Sequence, residues 1–254
     1  MLEDNIRQKL RQKPLLIMTH IVIGYPSFRE SWALARAMVD AGVDLMELQI
    51  PFSEPMADGP VILKANQEAL AGGASVAKCL EFARELAEQV QIPLLYMSYY
   101  NILFKYGVQR FAEEMKRAGI AGSIVPDLPL EESGEYTTAM EKQGLSAVRL
   151  FAPNTSERRM HALAEGASGF VYCVARKGVT GAKTDFSSEL GEYLGRARRA
   201  TSLPLAVGFG LKDRQDVDFL RGKADIAVVG SESIRVLNES GIRAAGDFIR
   251  TLTG

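Results

Sequence analysis

Cysteine and histidine are scarce in this chain. Its 254 residues hold two cysteines, Cys79 and Cys173, which lie far apart and form no CxxC pair. That argues against a disulfide framework and makes a reducing compartment the simplest setting. The two histidines, His20 and His161, argue against a histidine-rich metal site or a histidine-based triad. An excess of charge is also missing, with 30 Lys plus Arg against 31 Asp plus Glu and a net charge of -1. No general attraction to nucleic acid or anionic membrane follows, so any anion site must be local. No apolar run approaches the roughly 18 residues that suggest a membrane span. The stretch Met1-Leu-Glu-Asp-Asn5 is charged and lacks the apolar core of a secretory signal, so the expected location is the cytoplasm. No low-complexity linker or shift in composition divides the chain, and residues 1–254 are expected to form one domain.

What the chain does have is a regular alternation. Short apolar runs near residues 15–21, 45–50, 93–98, 122–126, 147–151, 170–174, 203–207 and 226–230 have the length and composition of buried strands. Between them lie amphipathic stretches, of which 31–41, 75–90, 108–118 and 131–143 repeat apolar residues at helical spacing. Gly42, Gly119 and Gly144 stand where those helices would stop. Eight strand-then-helix units argue for an α/β fold of the closed parallel (β/α)8, or TIM-barrel, type. An open doubly wound sheet is the alternative, weakened because no GxGxxG follows the first strand. Residues 2–12 are expected to add an N-terminal helix across the barrel bottom.

In such a barrel the chemistry sits at the C-terminal strand ends. Along Asp44-Leu-Met-Glu-Leu-Gln-Ile50 side chains alternate, so Leu45, Glu47 and Gln49 share one face and Met46, Leu48 and Ile50 the other. The wholly apolar set should meet the helices, which turns Glu47 into the barrel mouth. A buried carboxylate there has either a catalytic task or a cationic partner. The next segment, Pro51-Phe-Ser-Glu-Pro-Met-Ala-Asp-Gly-Pro60, is stiffened by three prolines and could hold Asp58 opposite Glu47. Asp58 reads equally as an Asx-turn residue before Gly59-Pro60.

Glycine clusters follow the last three strands: Gly178-Val-Thr-Gly181, Gly208-Phe-Gly210 and Gly230-Ser231. Glycine lets backbone N–H groups approach an anion, and a helix starting after Gly230 would aim its positive end at the same place. The pattern suggests phosphate binding beside the last strands, although glycines also serve ordinary tight turns. Glu232 in that first turn is expected to face solvent.

The string Glu47-Leu-Gln-Ile-Pro-Phe-Ser-Glu-Pro-Met-Ala-Asp-Gly-Pro60 closely resembles the signature of the tryptophan synthase α chains. Tyr99-Tyr-Asn101, Pro126-Asp-Leu-Pro129 with Glu131-Glu132, and the three glycine clusters extend the resemblance in order along essentially the whole chain. It implies a lyase of tryptophan synthesis that cleaves indole-3-glycerol phosphate to indole and glyceraldehyde 3-phosphate by a retro-aldol step. Glu47 matches the family's proton-shuttling glutamate, Asp58 the aspartate that holds the indole N–H, and Tyr172 a tyrosine near the glutamate. Gly181, Gly210, Gly230 and Ser231 would bind the phosphate. Ile62, Met97, Ile124, Leu150 and Phe209 would wall the indole, with plain core packing as the other reading of these apolar residues. Arg176 and Thr180 belong to the loop that closes over substrate, where Thr180 would orient Asp58. No metal or organic cofactor is implied. The implied partner is a tryptophan synthase β chain in an α2β2 heterotetramer, with pyridoxal phosphate confined to that partner. Residues 51–60 and 99–104 match the contact regions.

Several residues depart from the family pattern. Gln49 stands where glycine is common, and Glu54 where aspartate is usual. His20 and Val22 replace familiar aromatic and threonine residues, Ile23 a small residue, Ala175 a serine and Glu232 a small residue. These changes surround the mouth. They leave two further readings beside the synthase subunit: a stand-alone indole-releasing lyase, and a catalytically weak partner that regulates a β chain.

Overall fold

The computed structural model describes residues 1–174, 186–208 and 210–254, with 186–188 as backbone only. The chain begins with α1 (Leu2–Leu10), β1 (Leu16–Val22), α2 (Phe28–Asp40) and β2 (Leu45–Gln49). It continues through α3 (Pro60–Ala71), α4 (Val76–Gln89), β3 (Leu94–Met97), α5 (Tyr100–Tyr106), α6 (Val108–Arg117) and β4 (Gly122–Ile124). Then come α7 (Gly134–Gln143), β5 (Ser146–Phe151), α8 (Glu157–Glu165), β6 (Val171–Val174) and α9 (Phe186–Ala200). The last elements are β7 (Leu205–Gly208), α10 (Arg214–Leu220), β8 (Ile226–Val229) and α11 (Ser231–Thr253). The eight strands pair in chain order, all parallel, and β8 pairs with β1 to close a barrel. The fold is the (β/α)8 barrel expected from the sequence, and each of the eight apolar runs supplies one strand.

Alternation along the strands sorts the side chains. Leu16 and Met18 of β1, Leu45 of β2, Leu95 and Met97 of β3 and Ile226 and Val228 of β8 belong to one buried cluster inside the barrel. Met46, Leu48 and Ile50 belong to the other, between strands and helices. On β1 and β2 the interior column changes character on the way up, from Leu16 and Met18 to His20, and from Leu45 to Glu47 and Gln49. All six are buried. Apolar packing at the base therefore supports polar side chains at the rim. Burying one Leu or Ile side chain contributes ~1.5–3 kcal/mol.

Helix α1 closes the base. Leu2 and Ile6 are buried against the interior cluster. Lys13 Nζ stands 2.9 Å from Asp44 Oδ1, Lys9 Nζ donates to the Asp44 carbonyl at 2.9 Å, and Asp44 Oδ2 accepts the Ile17 amide at 3.0 Å. The buried Asp44 carboxylate thus has partners on both oxygens, which ties α1 to β1 and β2.

Two helices differ from their expected spans. The helix expected over 31–41 begins earlier, at Phe28, because the Ser27 hydroxyl accepts the Glu30 amide and caps it. The stretch 131–143 is split into a 3-10 turn, Leu130–Glu132, and α7. Ser133 makes the break: its hydroxyl donates to the Leu130 carbonyl at 2.7 Å and accepts from Arg149 at 2.7 Å. Such local side-chain bonds compete with helix propagation.

Candidate active site

Glu47 is the third residue of β2 and lies opposite His20 in the parallel β1–β2 ladder. It is buried, and Oε2 stands 2.9 Å from Nδ1 of His20. Oε1 is buried without a hydrogen-bond partner among the described residues. The cationic partner that a structural reading of Glu47 called for is therefore neither Lys nor Arg; the contact is with His20.

The chain of bonds continues past His20. Its Nε2 is 2.9 Å from Gln49 Oε1, and Gln49 Nε2 donates to Asp58 Oδ2 at 2.6 Å. The Tyr99 hydroxyl also donates to Asp58 Oδ2, at 3.1 Å, and accepts the Ala57 amide at 3.1 Å. Glu47, His20, Gln49, Asp58 and Tyr99 thus form one continuous network across the rim. Asp58 Oδ2 is doubly used, and Oδ1 takes no bond among the described residues. Asp58 caps no local amide, so its geometry is not that of an Asx turn.

The segment carrying Asp58 is fixed from both ends. Asn66 of α3 accepts the Phe52 amide at 2.9 Å and donates to the Ile62 carbonyl at 2.8 Å. Phe52 stacks on Tyr99, with ring centroids 5.1 Å apart and planes 20° apart. Pro60 occupies the first turn of α3, where its missing N–H costs nothing.

Glu47 and Asp58 line one cavity of about 210 Å³ at the C-terminal ends of the strands. Ile62, Met97, Ile124 and Leu150 form apolar wall, Tyr172 lies beside the carboxylates, and Gly210, Gly230 and Ser231 line the side nearest β7 and β8. All ten expected site residues within the described part of the chain line this cavity. Arg176, Thr180, Gly181 and Phe209 lie outside the described residues. Among the described residues no group of three or more His, Cys, Asp or Glu side chains is placed to hold a metal ion.

The electrostatics follow from burial around two carboxylates. Burial alone would lower the His20 pKa. The bond and charge of Glu47, the charge of Asp58 and the bond to Gln49 outweigh it, so the imidazole titrates above its usual 6.5. Burial first, then the Glu47 and Asp58 charges, push the Tyr172 phenol well above its ordinary value. Tyr172 therefore stays a neutral hydroxyl through the physiological range.

Gly208 explains why Tyr172 fits. A Cβ there would sit 2.7 Å from the Tyr172 hydroxyl oxygen and 3.1 and 3.2 Å from ring carbons. The sequence offers an anion site or an ordinary tight turn at this glycine; the packing role against Tyr172 is a third, which only the structure shows. At Gly210, with φ of +79°, a Cβ would meet nothing within 4 Å, leaving its backbone open. Gly230 is the N-cap of α11 and Ser231 its first residue. Glu232 does not extend into solvent as expected: its side chain is 17% exposed and pairs with Arg235 one turn along α11. That salt bridge neutralises the carboxylate in the first turn of α11.

His20, Gln49 and Tyr99 were not placed among the site residues from the sequence. The first two stood out there only as departures. Their signal was parity, since Gln49 shares the Glu47 face of its strand.

The family described as tryptophan synthase alpha chain matches residues 6–251. A tryptophan synthase alpha chain of Syntrophotalea carbinolica is 62% identical over 252 residues, covering 99% of this chain and 100% of that one. One from Desulforapulum autotrophicum is likewise 62% identical over 252 residues, with the same coverage. Among solved structures, tryptophan synthase from M. tuberculosis in an aminoacrylate-bound form superposes with a TM-score of 0.91 at 28% identity, covering 99% of this chain and 98% of that one. The tryptophan synthase alpha subunit of Legionella pneumophila gives a TM-score of 0.90 at 30% identity, covering 99% and 97%. Fold, cavity and sequence agree along the whole length, and the chain belongs to the tryptophan synthase alpha chain family.

Proposed function

We propose that this chain cleaves indole-3-glycerol phosphate to indole and glyceraldehyde 3-phosphate, acting as a cytoplasmic carbon–carbon lyase in L-tryptophan synthesis and as the α half of an α2β2 synthase. The observation that carries the reading is the pairing, in one cavity, of Glu47 Oε1 and Asp58 Oδ1, neither of which has a hydrogen-bond partner among the described residues.

The substrate fits this division of labour. Its phosphate is bound by backbone N–H groups at Gly210, Gly230 and Ser231, where the first turn of α11 has unpaired amides and a positive dipole end. Its indole ring lies between Met97, Ile124, Leu150 and Ile62. Asp58 accepts the indole N–H through Oδ1. That bond strengthens as the ring becomes an indoleninium cation, so it favours the transition state over the ground state.

Glu47 moves the protons. One proton is delivered to ring carbon 3, which turns the ring into an electron sink. One proton is taken from the hydroxyl on the carbon attached to the ring. That carbon becomes an aldehyde, the carbon–carbon bond breaks, and its electron pair returns to the ring. One proton given and one taken leave Glu47 as it began. Tyr172, kept neutral, supplies a hydroxyl beside the carboxylates. The chain itself uses no metal or organic cofactor in this scheme. Pyridoxal phosphate is held by the β partner, which docks against residues 51–60 and 99–104. Met56 and Phe104 in those segments are large apolar side chains exposed by 80% and 63%, as a docking surface requires.

The test is indole release from indole-3-glycerol phosphate by the purified chain, with and without a tryptophan synthase β chain. Slow release alone and faster release with the partner are expected. Full-speed release alone would make the chain an independent lyase, and no release in either setting would end the reading.

A further inference from the structure

The His20–Gln49 bridge fixes a proton count. Gln49 donates its amide nitrogen to Asp58 Oδ2 at 2.6 Å. Turning that amide over would press its oxygen against the carboxylate oxygen, so its orientation is set. Gln49 Oε1 therefore faces His20 Nε2, 2.9 Å away, and Nε2 must carry a proton. On the other side of the ring, Nδ1 stands 2.9 Å from Glu47 Oε2. If both atoms there were bare, two lone pairs would oppose each other in a buried site. One proton must lie between them.

We propose that His20 is a positioning residue for the reaction: oriented by Gln49, it keeps a proton against Oε2 of Glu47 and so confines proton exchange with the substrate to Oε1. The inference rests on the retro-aldol reading above. The groups facing the ring bear this out. Glu47 comes from β2, Asp58 from the segment after β2 and Tyr172 from β6, and among the described residues lining the cavity there is no Lys or Arg. Among the described residues the imidazole is the cation at this point of the rim, and both nearby carboxylates favour its charged form.

In the cycle, the proton between Nδ1 and Oε2 is not consumed. Oε1 supplies the proton that arrives at ring carbon 3 and then takes the hydroxyl proton. The pair alternates between two protons and one, and it ends with two. Loss of the imidazole proton at high pH would leave a bare Nδ1 against Oε2, disturb the Glu47 rotamer and slow the reaction.

The experiment has two readouts. The chain has two histidines, so a 15N-histidine-labelled sample resolves His20 by NMR without any substitution. Nε2 of His20 should stay protonated across the titration, with Nδ1 losing its proton above pH 6.5. A neutral His20 protonated on Nδ1 and bare on Nε2 would overturn the inference, whether or not the chain cleaves indole-3-glycerol phosphate. The second readout is the pH profile of indole release. His20→Asn keeps a neutral donor beside Glu47 but removes the titrating cation. It should lower kcat about tenfold, leave KM within about twofold, and abolish the alkaline limb that the unaltered chain shows. A profile and kcat unchanged by His20→Asn would also overturn it.

Discussion

The Gln49 side-chain amide donates to Asp58 Oδ2 at 2.6 Å, which spends one carboxylate oxygen on the protein. The Tyr99 hydroxyl uses the same oxygen. Asp58 is therefore held by two donors while its second oxygen is left for a ligand. In the proposed reaction that arrangement fixes the acceptor before substrate arrives, which is how a preorganised site favours a developing charge.

Replacing Asp58 by Asn tests that role. The new side chain can keep its oxygen toward Gln49 and Tyr99, and it then turns an NH2 toward the indole N–H. Donor would face donor. We expect kcat/KM for indole release to fall on the order of 10²-fold, with far-UV circular dichroism and Tm close to the unaltered chain. Retained cleavage in a folded variant would leave Asp58 with no part in catalysis.

Glu47→Gln removes the carboxylate and keeps its volume. Loss of a general acid–base group typically costs 10²–10⁴-fold in turnover, and a drop in about that range is expected here. Near-normal single-turnover indole release would take Glu47 out of the mechanism.

Gly208→Ala probes the packing of Tyr172. The added methyl would stand 2.7 Å from the phenol oxygen, so the ring or the strand end must shift. Overpacking of this kind costs roughly 1–3 kcal/mol. We expect a lower Tm together with about a tenfold fall in kcat, because the displaced ring sits beside Glu47. Unchanged Tm and kcat would show that the rim yields freely.

Stability should depend on pH through His20. Its folded pKa is raised above the ordinary 6.5, so the native state binds this proton more tightly than the unfolded chain. The contribution is fully present below about pH 6.5 and is lost as pH rises through the folded value. The unfolding free energy should therefore fall across that window, with a slope of at most about 1.4 kcal/mol per pH unit for one proton. Denaturant midpoints measured from pH 6 to 9 check this, and His20→Asn should remove this component. A midpoint that climbs over that range in the unaltered chain, with His20→Asn climbing equally, would contradict the assignment.

Much of this was legible in the sequence, and the reasons are physical. Short apolar runs mark parallel strands because such strands are buried on both faces. Parity along β2 placed Glu47 inside the barrel for the same reason that it placed Met46, Leu48 and Ile50 outside. Helix starts were less legible, as at Ser27, where one hydroxyl bond moves the boundary by three residues from Ser31 to Phe28. The network was the hardest part. His20 and Gln49 are 29 positions apart and meet only because β1 and β2 pair in a particular register. Nothing local in the chain announces that register. Glu232 was read by charge alone, and its partner Arg235 lies three residues along the same helix, a spacing that could have been noticed.

Leu2 and Ile6 of α1, packed into the foot of the strand ring, make this barrel a blind-ended vessel. In the proposed reaction, a small apolar product released near Glu47 has densely filled hydrocarbon beneath it and must depart over the lip. Met56 follows β2 and Phe104 lies on α5, after β3, so these two exposed apolar groups stand on that departure side. The stopper at one end thus gives the molecule a direction of discharge, although α1 touches no reacting atom.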